Sequence, residues 1–365
     1  MSFNIIYHIL IDRFNGCHES KEIGFKGGNI RGIIEKLDYI QKLGADAILL
    51  SPFFSTAAYH GYHCTTAENE IELRFGNKKD VLELTREVHQ RGMSIIADFV
   101  PNHCHATNPL FTDNKHRDWF YYDESNKIEG YRCFAGLPEL PMLNLDNSEA
   151  RSYMINQAEL LCSWGFDALR IDHATGPSYG FLKELRTQIH NKYPKVLLIG
   201  EVVGKDDFVP KEETDYNKRA KRFGAQEARQ MEYIGILDGV LDYRYYDIIR
   251  KALANNESFN DNNLKLKQKI QQHFKNYPSD FSLWLFLDNH DVNRILCLCN
   301  GNIETLKSLI GFTKQWNRPL IVFYGTEKGV YNNTKLSHKI PYDDERVRPC
   351  MNWHSPQVIK SFKNI

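Results

Sequence analysis

Eight short hydrophobic runs recur along the chain, most of them separated by helix-like segments, and this alternation constrains the fold more than any other feature. The runs fall at 4–11, 46–50, 94–99, 166–171, 196–200, 239–243, 281–287 and 319–324. Helical patterns occupy 30–43, 80–91, 148–164 and 180–193; Gly44, Gly92 and Gly165 follow the first three and Pro194 follows the fourth, each a stop for a helix. Strand and helix alternating to eight strands specify an α/β chain whose parallel sheet closes into a (β/α)8 barrel. A length of 365 residues accommodates one such barrel with insertions.

One connection is too long for a plain barrel. Between His103 and Asp146 there is no convincing helix, only aromatic-rich stretches such as Trp119-Phe120-Tyr121-Tyr122 and a turn-like Pro138-Glu139-Leu140-Pro141. Long connections in compact folds are usually functional. The expected organisation is therefore barrel over 1–103, a small inserted subdomain after strand three over 104–147, and the rest of the barrel over 148–365. The charged stretch 202–234 reads as a mobile lid or a solvated helix pair. A short final helix is expected over 356–362, little material for closing a barrel, and no C-terminal β-sandwich is expected.

Charge narrows the partners. Lys plus Arg and Asp plus Glu both number 46, so the balance gives no support for nucleic acid or an anionic membrane as partner. No apolar segment approaches membrane-spanning length. The N-terminus lacks a basic run before an apolar stretch, and the eight cysteines are scattered without a Cys-x-x-Cys pair. These features lead to the expectation of a reducing, cytoplasmic setting.

A parallel barrel builds its active site at the C-terminal ends of its strands, and carboxylates gather there. Asp98 ends the third run, Asp172 the fourth and Glu201 the fifth, while Asp288 and Asp291 follow the seventh. Breaking an acetal between sugars takes one carboxyl group to protonate the leaving oxygen and another to attack the anomeric carbon. Their surroundings must push the two pKa values apart. Arg170 lies two residues before Asp172, hence on the same strand face, where its charge favours an ionised nucleophile. Glu201 is then the acid and base, and Asp291 grips substrate hydroxyls and distorts the ring. His103 and His290 stand beside these acids to hold sugar hydroxyls, and Tyr62 offers a flat ring face. One His or Tyr alone at a strand end would more often be a packing residue; the reading rests on the whole set. A barrel metallohydrolase is the competing chemistry. Against it, the first run reads Tyr7-His8-Ile9-Leu10-Ile11-Asp12 with no His-x-His pair, and Arg170 would repel a bound cation.

These segments resemble the four motifs of the alpha-amylase superfamily, glycoside hydrolase family 13. Asp98-Phe99-Val100-Pro101-Asn102-His103 resembles the first, Gly165 to Ala174 the second, Leu198-Ile199-Gly200-Glu201 the third and Phe286-Leu287-Asp288-Asn289-His290-Asp291 the fourth. Leu140-Pro141-Met142-Leu143-Asn144 is similar to an extra motif of the neopullulanase and cyclomaltodextrinase branch. The resemblance implies retaining hydrolysis of α-1,4-glucosidic bonds in maltooligosaccharides through a covalent glycosyl-enzyme, with Asp172 as nucleophile, Glu201 as acid/base and Asp291 as stabiliser. It draws in His60, Asp98, Asn102 and Arg294 as further site residues. It implies no required cofactor; calcium through Asn102 is an option of the family, although Met142 stands where calcium-dependent members often carry Asp. Cys64-Thr65-Thr66-Ala67-Glu68 and Val202-Val203 also depart from the usual pattern. A 4-α-glucanotransferase using the same residues and a noncatalytic sugar-binding protein are the alternatives.

Overall fold

The computed structural model describes residues 3–20, 22–122, 130–203, 214–337 and 343–365. All eight runs form strands: β1 Ile5–Ile9, β2 Ala47–Leu50, β3 Ser94–Phe99, β4 Ala168–Ile171, β5 Leu197–Gly200, β6 Gly239–Leu241, β7 Ser282–Phe286 and β8 Leu320–Phe323. They pair in parallel in sequence order, and β1 also pairs with β8, Tyr7 opposite Val322. The barrel therefore closes through strand pairing.

Side chains alternate across a strand, and here the alternation separates two layers. Tyr7, Ile48, Ile95, Leu169, Leu198 and Leu283 face the helices and join the larger apolar core. Ile6, Leu49, Ile96, Ala168, Ile199, Trp284, Phe286 and Ile321 face inward and fill the barrel. Two residues further along four of these strands, the inward positions become His8, Asp98, Arg170 and Glu201, all buried. An apolar plug thus ends at a polar floor on the C-terminal side.

The helices are set by local capping. The expected 30–43 segment bends at Lys36 into Ile30–Glu35 and Leu37–Leu43, the second stopped by Gly44 at φ 94°. Lys78–Gln90 begins with a reciprocal capping box between Asn77 and Asp80. Asn147 and Ser178 cap Ser148–Ser163 and Tyr179–Lys192. The sixth strand ends early, at Leu241, because Asp242 caps Tyr243–Ala254 by accepting from Tyr245 N at 2.9 Å.

Two expectations change. No α-helix forms over 356–362; only a 3₁₀ turn, Phe362–Asn364, appears. The amides of Val358 and Ile359 instead donate to Glu327 O, and Ile359 and Phe362 are buried. Lys314 Nζ reaches Ile365 O at 2.9 Å. This extended tail occupies the position a last helix would take. In the charged stretch, residues 204–213, including Lys211, lie outside the described residues. The stretch does hold two helices, Thr214–Phe223 and Ala225–Met231: Lys218, Lys221 and Arg222 of the first are exposed, whereas Glu227, Ala228, Arg229 and Gln230 of the second are all buried.

After β3 the described residues of the long connection carry one short helix, Pro109–Thr112, and two 3₁₀ turns, Asn114–Trp119 and Phe134–Gly136. Antiparallel bridges His103↔Met142, Phe120↔Leu143 and Cys133↔Pro141 fold it back on itself. No helix among the described residues is long and apolar enough to cross a membrane.

Candidate active site

Arg170 organises the polar floor. Its Nη1 donates to Asp98 Oδ1 at 2.7 Å and to Asp172 Oδ1 at 2.8 Å, and Nη2 lies 2.7 Å from Glu201 Oε1. One buried guanidinium thus joins three carboxylates from three successive strands, the planar fork geometry for which Arg is suited. Tyr62 OH donates to the remaining Asp98 oxygen at 2.7 Å. Glu201 also accepts from Tyr243 OH at 2.9 Å and from His173 N at 3.1 Å. His173, next to Asp172, takes φ 41°, a left-handed conformation that a non-glycine residue keeps only where its surroundings enforce it.

The charge balance differs from the expectation for Asp172. Burial pushes its carboxyl well above the ordinary range; Arg170 pulls it down, but Glu201 and Asp98 add to the rise. Burial also raises Asp98 against the pull of Arg170. Three carboxylates thus compete for one cation, and at Asp172 and Asp98 burial outweighs its pull.

Asp291 is set the opposite way. The cleft walls would raise it, yet His290 and Arg348 bring it well below the usual carboxylate range. Arg348 Nη2 donates to Asp291 Oδ1 at 2.9 Å, and His290 Nε2 lies 3.0 Å from Oδ2. Arg348 is itself fixed by His290 O at 2.8 Å, Tyr59 OH at 3.1 Å and an ion pair with Asp344.

Asp172, Glu201 and Asp291 face one cavity of about 210 Å³, with Tyr62, His60, His63, His103, His290, Phe134, Asp344 and Arg348 around it. The ring of Tyr62 stacks on His290 at 5.2 Å and 12°, so the imidazole covers one of its faces. His103 stacks on Phe134 at 4.5 Å and 7°, and burial lowers its pKa to about 3, leaving it neutral. Burial likewise lowers His60. Leu137 and Leu140 from the inserted connection complete an apolar side.

Not every expected residue reaches this cavity. Arg294 is fully buried, 3.4 Å from Asp288 and donating to Tyr324 O at 2.5 Å. Asp288 accepts from Ile295 N at 2.8 Å; together they fix the turn after β7. Asn102 is buried with its amide 3.3 Å from His103 Nδ1, and a Cβ at Gly176 would come within 1.9 Å of its oxygen. Glycine is needed there for close approach. Among the described residues, no group of three or more His, Cys, Asp or Glu side chains could hold a metal ion.

Four contributors escape a strand-end reading. Tyr243 sits at the last position of the expected sixth run and could have been found there. Phe134 comes from the irregular insertion. Asp344 and Arg348 follow β8 by twenty residues or more, and only their spacing of four hints that they act together.

Behind Tyr243 lies a buried ionic clamp. His273 Nδ1 is 2.8 Å from Glu227 Oε1, and its Nε2 is 2.8 Å from Asp242 Oδ2. Burial would lower His273, but Asp242 and Glu227 lift it to about 9. The clamp joins the helix Ala225–Met231, the end of β6 and the helix Leu264–Phe274.

Residues 8–362 match the family described as Alpha amylase, catalytic domain. The chain is 34% identical over 369 residues to Alpha-amylase 2 of Dictyoglomus thermophilum, covering 94% of this chain and 60% of that protein. With Neopullulanase 2 of Thermoactinomyces vulgaris the identity is 25% over 359 residues, 90% of this chain and 57% of the relative. The chain thus spans somewhat more than half the length of these relatives. Among solved structures, the alpha-amylase of Geobacillus thermoleovorans in complex with acarbose superposes with a TM-score of 0.76 at 26% identity, over 98% of this chain and 76% of that one.

Proposed function

The chain belongs to the alpha-amylase family, and on that premise we propose that it is a retaining glycosidase acting on α-1,4-glucosidic bonds of maltooligosaccharides. Glu201 donates a proton to the glycosidic oxygen as Asp172 Oδ bonds to the anomeric carbon and the leaving sugar departs. Water then gives its proton to Glu201 and attacks the same carbon, releasing Asp172. The single observation that carries this reading is the Arg170 fork, which brings Asp98, Asp172 and Glu201 within 2.7–2.8 Å of one guanidinium. The same fork holds Asp172 and Glu201 on one guanidinium, so attack and protonation converge on a single glycosidic bond. Asp291, held ionised by Arg348 and His290, supplies negative charge where the sugar ring becomes positive. His103, His290 and Tyr62 bind around the same sugar.

An α-glucan oligosaccharide is the partner this cavity suits, and eight cysteines with no disulfide among the described residues fit a reducing, cytoplasmic setting. The test is time-resolved proton NMR of maltoheptaose with the protein, Asp172→Ala serving as blank. New α-anomeric ends that require Asp172 are expected. Products longer than the substrate would assign transfer as the main reaction, and an inert folded protein would point to sugar binding alone.

A further inference from the structure

Beneath the floor, a second, small cavity lies between the site and the apolar plug. His8, His290, Asn289 and Arg170 line it together with Leu49 and Phe286. About 10 Å³ of it is open to the centre of a water-sized sphere, close to the least that one water requires. His8 and His290 are only 3% exposed. Among the described residues, neither His8 Nε2 nor His290 Nδ1 has a hydrogen-bond partner. Two residues lining one small cavity thus each keep an unpaired buried ring nitrogen, which is unusual because buried polar atoms are nearly always paired. The rings meet edge to face, centroids 5.3 Å apart at 84°.

We propose that this cavity binds one ordered water between His8 Nε2 and His290 Nδ1, and that His8 is thereby a positioning residue for His290. The opposite nitrogen supplies the reason. His290 Nε2 is 3.0 Å from Asp291 Oδ2, and an ionised carboxylate only accepts, so Nε2 carries the hydrogen. In a neutral imidazole Nδ1 is then an acceptor and needs a donor. A water O–H supplies it, and the water's other contacts go to His8 Nε2 and Asn289. His8 stays neutral, since burial above all and the neighbouring Arg170 oppose its charging, and a neutral ring binds water in either tautomer. His8 touches no substrate; it acts through the water by supporting the Nε2–H tautomer of His290 that Asp291 calls for.

The kinetic part rests on the glycosidase reading, whereas the water and the tautomer do not. A crystal structure at about 1.5 Å or better should place a water within hydrogen-bonding distance of both nitrogens, and ¹⁵N NMR should show His290 as the Nε2–H tautomer. His8→Leu should mix the tautomers or protonate His290. It should lower kcat on maltoheptaose about tenfold, the loss of roughly one hydrogen bond, with KM changed less than twofold. His8→Gln, which retains a polar end, should keep kcat within threefold of the wild type. A dry cavity in the wild-type crystal, or a His8→Leu protein with an unmixed Nε2–H tautomer, would overturn the proposal. If His8→Leu does not fold, the wild-type density and ¹⁵N spectrum decide alone. If the wild type turns over no glucan, the same two readouts still decide while the glycosidase reading falls.

Discussion

Replacing His273 by Gln tests the buried clamp behind Tyr243. Both imidazole nitrogens lie 2.8 Å from a carboxylate oxygen, so both carry hydrogens and the ring is a cation. Its pKa rises from the ordinary 6.5 to about 9. A raised pKa means the folded state binds the proton more tightly. That stability is fully present below pH 6.5 and is lost as pH climbs through about 9. A rise of this size corresponds to about 3 kcal/mol. The same linkage counted from Glu227 or Asp242 is the same interaction and adds nothing. In the variant, Asp242 remains buried without its cation and Glu227 keeps only the Arg244 cation, 3.1 Å away, a loss of about 3–5 kcal/mol for a broken buried pair. Urea unfolding of both proteins at pH 6 and pH 10 isolates the effect, since other titrating groups cancel in the difference. The gap should be large at pH 6 and shrink by about 3 kcal/mol at pH 10. An equal gap at both pH values would refute the charged clamp and leave only packing.

Other substitutions address the chemistry. Glu201→Gln should lower turnover of an unactivated maltooligosaccharide by about 10²–10⁴-fold, the usual worth of a general acid, with an unchanged circular dichroism spectrum. Tyr243→Phe removes the donor 2.9 Å from Glu201 Oε1 and should cost about tenfold in kcat/KM, roughly one hydrogen bond to a charged group. Arg348→Ala removes a cation that holds Asp291 down, so the acidic limb of the kcat/KM profile should move to higher pH. A limb that stays in place would separate Arg348 from the control of Asp291.

Much of this site is legible in the sequence because a barrel converts chain position into spatial position. Asp98, Arg170 and Glu201 are inward-facing residues at the tops of β3, β4 and β5, or one residue beyond, so finding the strands nearly places the acids. Period-two alternation did the rest, separating Leu169 from Arg170. Arg348 and Asp344 were hidden for the opposite reason. They come from a tail whose path is set by tertiary contacts, such as Met351 N donating to Arg13 O at 2.8 Å, and no local pattern encodes that. The tail's lack of helix has the same origin, its amides being taken by Glu327 O. Asp172 shows a further limit. Its neighbour Arg170 was legible, but the two carboxylates that compete for that guanidinium come from other strands, and the sum determines the shift. Arg294 followed a site motif yet turned under the strand to Asp288 and the Tyr324 carbonyl.

The central claim is that Asp172 forms the covalent bond to the sugar. The direct measurement is intact-protein and peptide mass spectrometry of the Glu201→Gln protein after incubation with α-glucosyl fluoride, whose leaving group needs no acid. Trapping of one glucosyl unit on the peptide carrying Asp172, absent in the Glu201→Gln, Asp172→Ala double variant, is the predicted result. Release of fluoride with no mass gain, or a glucosyl unit on any other residue, would contradict it.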